Sequence, residues 1–108
     1  MARGSKRLEF LLKVTAPGSG PPDPFAWYGL AMEHRALERY DEALAAFEAL
    51  RAHSPEYVPM YLMAGQMLEQ MGRVDEARAW LTAGIAAANV KGDSHAASEL
   101  EAALHALS

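Results

Sequence analysis

Cysteine is absent from the 108 residues. That absence removes disulfide staples, Cys-ligated zinc, iron–sulfur clusters and thiol nucleophiles, and it permits a reducing compartment. Long apolar runs are missing too. Nothing approaches the roughly 18 consecutive residues of a membrane span, and Leu8 to Val14 is too short and too charged for the core of a signal peptide. A cytoplasmic protein that is not inserted in a membrane is expected. Metal and catalytic signatures are equally scarce. His34, His53, His95 and His105 form neither an i, i+4 pair nor a His-Glu-x-x-His motif. No serine sits in a nucleophile elbow, and Gly18-Ser19-Gly20 is flanked by prolines rather than by the strand and helix of a phosphate loop. The reading is noncatalytic, without metal or cofactor.

What is present is one domain's worth of chain, 51% hydrophobic and 22% charged. A chain of this size buries roughly 60 to 70% of its unfolded surface and needs no staples to hold a core. Its net charge of −4 is unevenly spread. Residues 1–13 hold Arg3, Lys6, Arg7 and Lys13 against Glu9. That leaves six basic against thirteen acidic residues elsewhere, a net −7 for the main body. An acidic body of that kind is not a nucleic-acid binder.

The stretch 15–23, Thr-Ala-Pro-Gly-Ser-Gly-Pro-Pro-Asp, has no apolar periodicity and reads as a linker. Before it, in 1–14, Leu8, Leu11 and Leu12 stand at i, i+3 and i+4, the mark of a short amphipathic helix. Two to three turns are marginal alone, so this arm needs a surface. Ala26 and Gly29 leave room for its leucines; a membrane or acidic partner, or exchange onto a second copy, are the alternatives.

After the linker the chain repeats. Arg39-Tyr40-Asp41-Glu42-Ala43 returns as Arg73-Val74-Asp75-Glu76-Ala77 at an offset of 34. The same offset pairs Trp27 with Tyr61, Ala31 with Gly65 and Phe47 with Leu81. Each copy holds two helical patterns: Pro24 to Leu37 and Asp41 to Ala52, then Val58 to Met71 and Asp75 to Asn89. Small residues at Ala31, Ala43, Gly65 and Ala77 admit close helix approach, and Trp27, Phe47, Tyr61 and Leu81 fill the space beside them. Asp23 is expected to cap the first of these helices with Pro24 in its first turn. Asp41 and Asp75 are expected to cap the second helix of each copy. Gly72 and Gly92 suit left-handed C-terminal caps, and Pro59 is expected to push Val58 toward extended backbone. A last helix starts near Asp93 or Ser94, with Ala96, Ala97, Leu100, Ala103, Leu104 and Leu107 on one stripe. The methionines Met60, Met63, Met67 and Met71 read as core, as does Trp80.

Trp27-x-x-Leu30-Ala31, Tyr40-x-x-Ala43-x-x-x-Phe47 and Pro55 resemble the tetratricopeptide repeat. Ala31 stands where that family usually has Gly, and His34 where it has a large aromatic or aliphatic residue. In the second copy Tyr61, Gly65, Leu68, Ala77 and Leu81 fit, with Asn89 in place of the closing Pro. The resemblance implies an all-α solenoid: repeats at 24–57 and 58–91 and a cap helix at 92–108. It implies a protein-interaction scaffold whose first helices present a concave face to a partner segment. By helical spacing that face carries Phe25, Tyr28, Met32 and Arg35, then Leu62, Gln66 and Glu69. Tyr28 and Met32 stand where repeats that grip acidic chaperone tails carry Lys and Asn, so no carboxylate clamp is implied. The other reading is a self-assembly element, a homodimer built from the arm and the apolar repeat surface.

Overall fold

The computed structural model describes residues 5–18 and 23–107. Linker residues Ser19, Gly20, Pro21 and Pro22 and the arm's Arg3 lie outside the described residues. Among the described residues six helices follow one another: α1 (Ser5–Thr15), α2 (Pro24–Ala36), α3 (Tyr40–His53), α4 (Pro59–Gln70), α5 (Val74–Lys91) and α6 (Ser94–His105). No strand occurs among the described residues. The chain divides into two compact units, Met1–Ser54 and Pro55–Ser108.

In the first unit α2 packs on α3, and α1 packs on α2. The size alternation is realised directly: Ala31, Ala43 and Phe47 are wholly buried, with Leu30 and Leu50 beside them in the core. Leu8 and Leu11 are also buried. A Cβ placed on Gly29 would stand 3.3 Å from Leu11 Cδ2, so the arm lies in the slot left by that glycine. Arg7 adds an ion pair to Glu33 at 3.2 Å, and the third leucine, Leu12, faces outward.

In the second unit α5 packs on both α4 and α6, and α4 also touches α6. Close approach again rests on missing side chains. A Cβ on Gly65 would meet Leu81 Cδ2 at 2.7 Å, and one on Gly84 would meet the Cβ of Tyr61 at 2.5 Å and Leu100 Cδ2 at 3.0 Å. Tyr61 is buried, donates its hydroxyl to the carbonyl of Pro55, and lies 5.9 Å from the Trp80 ring. Trp80 is therefore interior, not an exposed anchor. Met60 and Met67 are wholly buried, whereas Met63 and Met71 are half-buried.

The turns inside each unit share one construction. Gly72 adopts φ 79°, its amide donates to the Glu69 carbonyl, and the Arg73 amide donates to the Leu68 carbonyl. These two bonds close α4 as a Schellman motif. The first unit closes α2 identically, Glu38 amide to Arg35 carbonyl and Arg39 amide to His34 carbonyl. There the left-handed residue is Glu38, at φ 61°. Gly92, at φ 74°, ends α5 in the same way.

Two sequence expectations fail at helix starts. Asp23 does cap α2, its Oδ1 accepting from the Phe25 amide at 3.0 Å. Asp41 and Asp75 do not cap. Arg39 and Arg73 occupy the N-cap positions, and the two aspartates fall inside the first turn, where they still complement the positive helix end. The reason is the turn: the residue that completes each Schellman motif already begins the next helix. Arg73 instead forks onto Glu76, Nε and Nη2 donating at 2.6 and 2.7 Å, which holds that carboxyl below its usual range. Val58 is helical rather than extended, at φ −58° and ψ −40°. Its buried side chain and the bond from the Tyr61 amide to its carbonyl outweigh the restriction imposed by Pro59.

Candidate functional site

The predicted face lies on α2 and α4, and each helix is taken within its own unit. On α2, the side turned to α3 includes Leu30, Ala31 and His34, and the side turned to α1 includes Ala26 and Gly29; all are buried. The arc left over holds Phe25, Tyr28, Met32 and Arg35, as i, i+3, i+7 and i+10 spacing requires. Phe25 is 74% exposed, and Tyr28, Met32 and Arg35 are half-buried. Tyr28 and Arg35 both make polar or ring interactions within the protein.

On α4 the covered side runs through Met60, Tyr61, Ala64, Gly65, Met67 and Leu68. Leu62, Gln66 and Glu69 share the other side at i, i+4 and i+7; the first two are half-buried and Glu69 is exposed. Among the described residues there is no cluster of three His, Asp or Glu side chains suited to a metal ion. No helix among them is long and apolar enough to cross a membrane.

His34 is the perturbed group that the sequence reading left without a role. It is buried at 7% exposure, and its Nδ1 has no hydrogen-bond partner. Burial pushes its pKa below the usual imidazole range. Glu42 and Glu33 pull it upward, and Arg39 adds to the lowering. Its replacement of a large apolar residue was the available signal. Gly84 was also missed; its clue was a lone glycine in the helical run Leu81-Thr82-Ala83-Gly84.

Paired antiparallel helices joined by three-residue turns, with one arc of each first helix only partly covered, define a short helical-repeat scaffold. The family profile of the tetratricopeptide repeat matches residues 28–91, and the chain belongs to that family. Crystal and solution NMR structures of a tetratricopeptide repeat domain protein from Salinibacter ruber are each 36% identical to it. The crystal structure aligns over 80% of this chain and 96% of its own, with a TM-score of 0.73. The NMR structure aligns over 82% and 89%, with a TM-score of 0.76. A solution structure of a protein from Bordetella parapertussis is 27% identical and covers 99% of this chain and 89% of its own, with a TM-score of 0.77. No curated protein matches the chain. Tetratricopeptide repeat proteins are in general noncatalytic scaffolds for protein partners.

Proposed function

We propose that the chain holds a segment of a partner protein against Phe25, Tyr28, Met32 and Arg35 of α2 and Leu62, Gln66 and Glu69 of α4. In this reading 24–57 and 58–91 are the two repeats, 92–108 is the cap, and 1–14 covers the first repeat. The observation that carries it is that these side chains are exposed or half-buried on helices that otherwise supply the core. Tyr28, Met32 and Leu62 offer apolar contact, and Arg35, Gln66 and Glu69 offer polar selectivity. The absence of cysteine suits work in the cytoplasm.

The test is capture from source-cell lysate with the intact protein and with a Tyr28→Ala, Leu62→Ala double variant, read by mass spectrometry. A partner held by the first and lost by the second, with helicity and melting nearly unchanged, supports the reading. Unfolding of the double variant makes these residues core, and equal capture by both proteins removes the face.

Phe10 and Leu12 favour a second reading. Both are exposed on α1, at 62% and 47%, and would suit self-assembly through the arm. That reading requires a dimer that dissociates when residues 1–15 are deleted.

A further inference from the structure

We infer that His34 makes the first unit the acid-sensitive half of the chain: a proton on its ring loosens α2 from α3 while α4, α5 and α6 stay closed. The geometry begins with the ring itself. It lies in the last turn of α2, on the side facing α3, buried and with Nδ1 meeting no acceptor. A neutral ring tolerates that position with its lone pair there. A protonated ring carries an N–H at the same atom with nothing to receive it, and a charge largely removed from water.

The neighbouring charges divide. On α3 Glu42 favours the charged ring, as does Glu33 on α2, while Arg39 in the turn opposes it. Arg7 on α1 pairs with Glu33 at 3.2 Å and so weakens the help that carboxylate gives. The carbonyl end of α2 also favours a cation. Burial is nevertheless the largest influence, and it lowers the pKa. The sign follows. Between the lowered folded value and the ordinary value of about 6.5, the open form binds more protons than the closed one. Stability is therefore complete above that ordinary value and drains away as pH falls below it.

The other three histidines do not share this liability. His53 is exposed, with its ring tilted 5.4 Å from that of Trp27. His95 is exposed, 3.7 Å from Glu99. His105 is exposed near the end of α6. Acid sensitivity from histidine thus concentrates in one unit, and the inference does not rest on the partner-binding face.

The experiment uses the full chain. NMR titration of the His34 ring should give a midpoint below the ordinary imidazole value of about 6.5; a midpoint at or above that value overturns the inference. Amide exchange at about pH 7.5 and about pH 5.5, corrected for intrinsic rates, should show protection in α2 and α3 falling about threefold or more relative to α4 and α5. An equal fall in both units overturns it. His34→Phe should abolish the selective loss, and persistence of the loss in that variant also overturns it. If His34→Phe does not fold, the wild-type ring titration decides alone.

Discussion

Glu38 and Gly72 stand 34 positions apart and do the same work in the two Schellman turns, yet only glycine takes a positive φ without a steric cost. Glu38 is exposed and its side chain is not needed for the turn's bonds. Glu38→Gly should therefore raise stability by about 0.5 to 1 kcal/mol, measured by urea denaturation, and Gly72→Ala should lower it by about 1 kcal/mol. Space rather than conformation governs Gly84. Alanine there gains about 1 kcal/mol in helix propensity. Its methyl would press on the Cβ of Tyr61, an atom that moves only with the α4 backbone. A net loss of about 1 to 2 kcal/mol is expected on thermal melting. Gly29→Ala is the control, since its nearest neighbours are the mobile ends of Leu11 and Arg7, and it should change the melting point little. The Asp23 cap and the left-handed caps Gly72 and Gly92 were legible in sequence because residue type and conformation coincide. Glu38 was not, because only the turn geometry forces a glutamate into that region. Asp41 and Asp75 misled for a related reason: good capping residues sit two places too late when a turn of this length makes its arginine serve both helices.

Among the elements, α1 shows how much a periodic pattern can say and where it stops. Leu8, Leu11 and Leu12 announce an amphipathic helix on an arc of about 100°, but the docked helix buries the first two and leaves Leu12 at the edge of the contact, exposed. The slot at Gly29 makes that choice. Leu11→Ala leaves this slot empty, and the loss is limited to the free energy of docking one short helix. Exchange protection should vanish in α1 while α2 and α3 keep theirs, instead of the full 2 to 5 kcal/mol typical of a core leucine appearing as global destabilisation. Arg7→Ala should do far less, since an ion pair whose arginine is 64% exposed contributes about 1 kcal/mol. The other helices were readable from the 34-residue offset, because each must bury a stripe against its partner. Only their ends shifted by a residue or two. Sequence periodicity sets the stripe, whereas backbone hydrogen bonds set the last turn.

At the scale of the whole molecule the architecture was legible because a repeat states it twice, while the candidate face was legible only as a pattern. Helical spacing identifies what is left over after the core is assigned; it carries no record of what covers the remainder. Mass is the informative property here. With α1 docked on the α2 of its own chain, sedimentation at about 10 μM should give one chain's mass. A two-chain mass that halves on deletion of residues 1–15 would move self-assembly ahead of partner binding. The double duty of Arg39 and Arg73, each completing one helix and opening the next, bears on how such a chain tolerates changes in length. One residue inserted at either turn would swing the following helix by about 100° about its axis and take its small residues off the seam. Insertions within a helical hairpin are thus forbidden singly. The chain can lengthen freely only outside its hairpins, or by the addition of a complete hairpin with both of its seams intact.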